Sequence, residues 1–288
     1  MAEPQVSVIV PMFNAAGTIS AQLDALLGQE TNLSFEVIVV DNGSSDGGGA
    51  LVRAVGRRDE RVRLVEASER RGPSFARNTG ARHAQGSVLL FCDADDVVAP
   101  SWLGAMETAL GTAAAATGPL ELTELNDRRV RAVYGTKLAS EPQSFLGVFP
   151  TGASANLAVR RTVYESLGGF DESIRVGEDT DLCLRLWLAG HHLAYEPGAT
   201  IHYRLRSSSR ALWRQSREYG DAVPLIAERL VRAGHPVRGR FVGAKRWLGL
   251  VKTLPGLRTE DGRARWLVTL GGCVGRLTGS IRHRFVYL

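Results

Sequence analysis

Short apolar runs alternate with helical segments through the first hundred residues of this 288-residue chain, and no other feature limits its fold as strongly. Val6–Val10, Phe35–Val40, Val62–Val65 and Ser87–Cys92 read as strands, the last of them as a buried one. Between them, Thr18–Leu27 places Ile19, Leu23, Leu26 and Leu27 at helical spacing, and helices are expected over Ala50–Val55 and residues 74–84. Strand and helix follow one another through short connections. That pattern predicts parallel βαβ units in an α/β domain.

Hydrophobic residues make up 44% and charged residues 23% of the chain, enough apolar material for one large domain or two packed together. Met1–Gln5 has no basic leader, Val6–Val10 is too short for a signal core, and no run reaches the length of a membrane span. The longest candidate, Trp266–Ser280, is interrupted by Arg276. Cys92, Cys183 and Cys273 are far apart and form no CxxC, so neither a disulfide framework nor a zinc site is indicated. A cytoplasmic protein is expected.

The net charge of +5 conceals two opposite halves. Residues 1–203 carry 17 Lys and Arg against 25 Asp and Glu, whereas residues 204–288 carry 18 against 5. In that tail Trp213, Trp247, Leu248, Leu250, Val251, Leu254, Trp266 and Leu267 interleave with the cations. The pattern points to an anionic membrane surface as a partner, with a peripheral seat on its inner face. No nucleic acid is expected; a plainly solvated helical face is the alternative.

Beyond Pro119 the signals mix. Leu120–Leu125 and Arg129–Tyr134 suggest strands, followed by a Gly/Pro/Ser-containing segment over residues 135–152. Asn156–Val159 reads as a strand and Arg161–Leu167 as a helix closed by Gly168-Gly169. Asp179–Ala189 is an amphipathic helix ended by Gly190, and Ala199–Tyr203 returns as a strand.

The chemistry gathers where strands end. Phe91-Cys92-Asp93-Ala94-Asp95-Asp96 places three acids at the exit of an apolar strand, the position at which open α/β sheets bind ligands. Two such charges about 5 Å apart at an effective dielectric of roughly 20 repel by about 3 kcal/mol. A hard divalent cation, Mg²⁺ or Mn²⁺, would turn that repulsion into binding, and Mg²⁺ is commonly shared between carboxylates and substrate phosphates. A turn capping the helix that starts near Pro100 is the simpler reading. Pro11-Met12-Phe13-Asn14 and Asp41-Asn42-Gly43 end the first two strands on the same rim, which makes a nucleotide pocket there. Neither GxGxxG nor a Walker A loop is present.

Four blocks in order resemble the inverting glycosyltransferases of family 2, which have the GT-A fold. They are Val6–Asn14; Glu36–Gly47; Gly72-Pro73-Ser74-Phe75-Ala76-Arg77-Asn78-Thr79-Gly80 with Asp93–Asp96; and Gly168-Gly169-Phe170-Asp171-Glu172 with Gly177-Glu178-Asp179. Together they span about residues 5–205. The resemblance implies a Rossmann-like, mostly parallel central sheet flanked by helices, followed here by a basic helical extension. It implies a nucleotide-diphosphate sugar as donor and a saccharide, lipid-linked or small-molecule hydroxyl as acceptor.

By the same resemblance Asp41 would meet the nucleobase in a slot shaped by Pro11 and Phe13, with Asn14 beside them. Family members often have Tyr in place of Phe13, and often Asp in place of Asn42, although both variants occur there. Arg77 would help neutralise donor phosphates, with the Asp93-Ala94-Asp95 motif nearby. Asp95 and Asp93 would hold the metal, Asp93 also nearing the ribose, and His202 would be a further ligand. Asp179 would be the general base, with Glu178 in reserve, and Thr151–Asn156 would let the acceptor approach. Residues 1–115 are expected to form the donor half, 116–205 the acceptor and catalytic half, and 206–288 the extension. Transfer to a polyprenyl phosphate, which needs no base, and a catalytically silent sugar-nucleotide scaffold are the competing readings.

Overall fold

The computed structural model describes residues 4–128, 130, 131, 143–237 and 242–287, with the side chains of 242–244 left aside. Two compact units are present. The first comprises Met1–Glu124, Leu138–Phe145 and Phe149–Arg204; the second comprises Leu125–Lys137, Leu146–Val148 and Leu205–Leu288.

The first unit is built on strands β1 (Val6–Met12), β2 (Phe35–Asp41), β3 (Val62–Glu66) and β4 (Val88–Cys92), all mutually parallel. They alternate with helices α1 (Ile19–Leu27), α2 (Gly48–Gly56) and α3 (Pro73–His83), as the βαβ pattern requires. Val8, Ile9, Val10, Val37–Val40 and Leu89–Phe91 are buried on both faces of the sheet. Each such aliphatic side chain contributes about 1.5–3 kcal/mol. At Gly80 a Cβ would lie 2.5 Å from Ile9 Cγ2, so the α3 backbone rests directly on β1.

Beyond β4 come β5 (Val97–Val98), α4 (Trp102–Leu110), β6 (Ala115–Thr117) and β7 (Leu120–Glu121). A hairpin of β8 (Gln143–Phe145) and β9 (Phe149–Thr151) leads to β10 (Asn156–Arg160) and α5 (Arg161–Ser166). Helix α6 (Glu178–Leu188), β11 (Leu193–Tyr195) and β12 (Ile201–His202) complete the unit. The main sheet runs β11-β6-β10-β4-β1-β2-β3, with β10 antiparallel to both β4 and β6. Because of that reversal, the start of β10 lies beside the end of β4, with Asn156 opposite Cys92. A smaller sheet runs β5-β12-β7.

Several expectations are corrected. The strand foreseen over Leu120–Leu125 stops at Glu121, whose carboxylate captures the Thr123 amide and hydroxyl and the Glu124 amide and so turns the chain. The strand foreseen over Arg129–Tyr134 falls mostly outside the described residues. Val130 and Arg131, which are described, are helical, with the Val130 amide donating to Asp127 Oδ1. The Gly/Pro/Ser-containing segment, for which no element is predicted, contains the β8–β9 hairpin, whose turn uses positive φ at Leu146 (54°) and Gly147 (72°). Ala199–Tyr203 pairs only over Ile201–His202.

The second unit is helical: α7 (Ser209–Arg232), α8 (Val242–Lys252), a 3-10 turn over Leu254–Arg258, and α9 (Glu260–Arg282). Among the described residues no helix is long and apolar enough to cross a membrane. Helices α7 and α9 run parallel, because Gly271, Gly275 and Gly279 meet Trp213, Arg217 and Asp221 in the same order. A Cβ at Gly275 would fall 2.1 Å from the Arg217 carbonyl oxygen, and one at Gly279 would fall 2.4 Å from that of Asp221. Backbone meets backbone along this seam. The Ser216 hydroxyl donates to the Val268 carbonyl at 2.5 Å, and Asp221 accepts from Thr278 and Arg282. Gly275→Val should therefore force the helices apart at a cost of about 1–3 kcal/mol. Thermal unfolding followed by circular dichroism should show a lower midpoint for this variant.

Candidate active site

Three parallel strands deliver their C-terminal ends to one rim, with Met12 paired with Asp41 and Ile9 with Phe91. Beyond β1 the chain passes through Asn14 in a left-handed conformation (φ 51°), which asparagine tolerates better than most residues. Asn14 is engaged with the neighbouring loop. Its amide donates to Ser44 Oγ at 3.0 Å, and its Oδ1 accepts from the Ser45 amide at 2.9 Å. Asp46 adds a second stitch by accepting from the Ala16 amide at 2.7 Å and from the Gly48 amide at 3.0 Å, and these two backbone donors hold its carboxyl below the usual range. Asp41 Oδ1 accepts the Ser44 amide at 2.8 Å in the same loop.

Pro11 is half-buried, whereas Phe13 is 49% exposed with the Arg71 guanidinium 4.9 Å from its ring centroid. Arg71 belongs to a loop fixed by Asn42. The Asn42 Nδ2 donates to the carbonyls of Ala67 and Arg70 at 2.5 and 2.7 Å, and its Oδ1 accepts from the Gly72 amide at 2.8 Å. An amide has both kinds of group; a carboxylate has only acceptors. The asparagine at position 42 thus has a local reason.

Asp93, Asp95 and Asp96 each offer an oxygen within 4.8 Å of the others. Gln22, wholly buried on α1, shapes this turn by donating to the Asp93 carbonyl and accepting from the Val98 amide. Burial first, then the charge of Asp93, pushes the Asp96 carboxyl up to about 9, against the Arg204 amide that donates to its Oδ1 at 2.7 Å. Its Oδ2 is buried with no hydrogen-bond partner among the described residues. Converging hard oxygens with one orphaned among them fit a divalent cation. Ala94 is buried between the acids.

His202 stands opposite Val97 in the β5–β12 pair, and its Nδ1 lies 3.0 Å from Glu121 Oε2. It is not one of the three gathered acids. Despite burial, bonds from Thr123 and His202 hold Glu121 down at about 2.

Arg77 ties the acidic turn to the far side of the rim. Its side chain is almost fully buried, and its guanidinium donates to Asp93 Oδ1 at 2.7 Å and to Glu178 Oε1 at 2.9 Å. Burial alone would lower its pKa, but the charges of Asp93 and Glu178 raise it instead. Burial also lifts Glu178 well above the carboxylate range, helped by the charge of Asp179 and opposed by Arg77. Both terminal nitrogens of Arg77 are thus assigned to acids.

Asp179 follows Glu178 at the start of α6. Its Oδ2 accepts from the Ser154 amide at 3.2 Å and its Oδ1 from the Thr180 amide at 2.6 Å. Ser154 arrives through the loop that feeds β10. One turn along α6, Cys183 Sγ accepts from the Gly152 amide at 3.4 Å, and two turns along, Trp187 stacks on Phe149. One face of α6 therefore carries the whole 149–154 segment. The Gly168–Glu172 block is pinned to α3 by Asn78, which donates to the Phe170 carbonyl and Glu172 and accepts from Tyr164 and the Phe170 amide. Gln22, Asn42 and the Ser154 amide carry no charge, and reading acids and arginines alone does not find them.

Comparison with known proteins places this geometry in a family. The chain belongs to the glycosyl transferases: the model of glycosyl transferase family 2 matches residues 7–168, and that of glycosyl transferase family group 2 matches residues 88–251. It is 34% identical over 219 residues to the succinoglycan biosynthesis protein ExoO of Rhizobium meliloti, covering 72% of this chain and 62% of that protein. It is 31% identical over 195 residues to glycosyltransferase AglE of Haloferax volcanii, covering 67% and 64%. The pre-mycofactocin glycosyltransferase of Mycobacterium tuberculosis is 29% identical over 96% of this chain and 55% of its own length. The chain thus spans less than two thirds of each of these relatives.

The fold is that of GT-A glycosyltransferases. A mannosyltransferase from Pyrobaculum calidifontis, solved with GDP-Man and Mn²⁺, superposes with a TM-score of 0.67 at 21% identity, covering 96% of this chain and 88% of its own. Residues 1–349 of TarS from S. aureus, solved with UDP, give 0.53 at 18%, covering 99% and 93%.

Asn42→Asp should place a carboxylate against two carbonyl oxygens and cost about 1–3 kcal/mol. Urea unfolding should show a lower midpoint, whereas Asn42→Gln should fall between the variant and the native protein.

Proposed function

We propose that this chain transfers a sugar from a nucleotide-diphosphate sugar to a hydroxyl of a glycan, glycolipid or other small acceptor, with inversion at the anomeric carbon. The supporting observation is the single guanidinium of Arg77, which bonds at once to the acidic turn and to the acid preceding Asp179. Residues 1–115 receive the donor, with the base between Phe13 and Asp41 and the diphosphate toward Asp93. Residues 116–205 receive the acceptor. Arg77 serves the donor side through Asp93 and Glu178, as a positioning residue.

Asp179 is the general base. It takes the proton from the acceptor hydroxyl as that oxygen attacks the anomeric carbon opposite the departing diphosphate, so no enzyme nucleophile is required. The Ser154 and Thr180 amides fix its two oxygens, whereas Glu178 is buried against Arg77 and less accessible to an acceptor. Asp95 and Asp93 would hold Mg²⁺ or Mn²⁺, with Asp96 behind them and the Nε2 of His202 as a further ligand. Glu121 on Nδ1 fits that role, since metal-binding histidines commonly rest their other nitrogen on a carboxylate. When bound, the ion supplies Lewis-acid neutralisation of the leaving diphosphate, worth several kcal/mol of barrier. The strongly basic residues 204–288 suit a peripheral position on an anionic inner membrane face.

Asp179→Asn should leave donor affinity near that of the native protein while lowering turnover by about 10²–10⁴-fold. Undiminished turnover would favour an already anionic acceptor such as a polyprenyl phosphate; absence of both transfer and donor hydrolysis in the native protein would favour a scaffold. Calorimetric titration with a nucleoside diphosphate should show tighter binding in Mn²⁺ than in a chelator. Asp95→Ala should abolish that difference, and equal affinities in the native protein would remove the metal.

A further inference from the structure

Helix α8 presents three large apolar side chains outward. Leu248 and Val251 are 63% and 64% exposed, Trp247 is also exposed, and Leu254 follows in the 3-10 turn. At about 100° per residue, Trp247, Leu248 and Val251 lie within one arc of roughly 100°. Lys245 and Lys252 border that arc. Leu250 alone among these residues is buried, and its carbonyl accepts from Trp266 Nε1 at 3.1 Å, which pins α8 to α9.

Along the chain, the segment that bears this arc carries charge of one sign. From residue 229 to residue 259 the chain carries eight Lys and Arg and no Asp or Glu. Close by, Arg276 of α9 stacks on Tyr287 with 5.8 Å from guanidinium to ring centroid. Burial and the neighbouring charge of Arg246 both push Arg276 below the ordinary arginine range, so two cations crowd one corner. A second copy of the chain on this face would set cations against cations. A nucleic acid would satisfy the charges and leave Leu248 and Val251 in water. An anionic bilayer answers both requirements, because phosphates meet the cations while the apolar arc enters the acyl boundary.

We propose that α8 and the turn after it form an in-plane membrane anchor, with Trp247, Leu248, Val251 and Leu254 inserted and Lys245, Lys252, Arg246 and Arg276 on lipid phosphates. The inference rests on the peripheral-membrane reading above and goes further by naming the inserted element and its depth. Electrostatic adsorption alone would hold the protein outside the headgroups; insertion buries the tryptophan.

The test uses the full chain with vesicles of phosphatidylcholine, alone or mixed with phosphatidylglycerol. Binding should require the anionic lipid, and the Trp247 emission, isolated by comparison with Trp247→Phe, should shift to the blue and resist aqueous quenchers. Lys245→Gln with Lys252→Gln should weaken binding about fivefold per charge removed. Leu248→Ser with Val251→Ser should weaken it at least tenfold, with the thermal midpoint unchanged because both side chains are exposed. Salt-sensitive binding with Trp247 still open to quencher would overturn insertion and leave peripheral adsorption standing. No binding to anionic vesicles would overturn both. Lipid-free self-association that Leu248→Ser and Val251→Ser abolish would assign the face to a second copy and also overturn the anchor.

Discussion

The buried guanidinium of Arg77 is the interaction on which the rest of the rim depends. It neutralises Asp93 on one side and Glu178 on the other, and without it two acids would face each other in a poorly solvated space. Removing one partner of such a buried pair commonly costs about 3–5 kcal/mol, because the survivor keeps its charge and loses its counterion. The position of Arg77 is set from below by Gly80, whose missing side chain lets α3 lie on Ile9. A packing detail in the core thereby sets the height at which two carboxylates meet above it.

Around this pair the supporting groups are mostly uncharged amides. Gln22 shapes the acidic turn, Asn42 the loop carrying Arg71, Asn78 the Gly168–Glu172 turn, and Asn156 the junction of β10 with Trp102 and two carbonyls. A side-chain amide both donates and accepts, so it can bridge backbone groups that point in different directions without introducing charge. The charged residues at the rim are held in place by this neutral framework.

That division explains what was legible from the chain. The parallel strands stood out because their apolar runs are buried on both faces and separated by turn residues. The acids stood out because charge at a strand exit is conspicuous. Strand β6 did not, since Ala115-Ala116-Thr117 has weak strand preference and is recruited by its neighbours β10 and β11. The β8–β9 hairpin was hidden by Gly147 and Pro150, and by a left-handed leucine that no local rule anticipates. The contact of Ser154 with Asp179 uses a backbone amide, which every residue but proline has, so nothing in the residue's identity marks it.

The parallel seam between α7 and α9 has a consequence for chain routing. Two helices that run the same way cannot be joined by a tight turn; the polypeptide must retrace the length of the first before starting the second. Helix α7 has 24 residues, so that return is about 36 Å. The connection between the two helices, residues 233–259, includes α8. Swapping α7 for a partner running the opposite way would remove the need for any connecting helix, so α8 owes its place outside the pair to the direction in which the glycine contacts align α9 with α7.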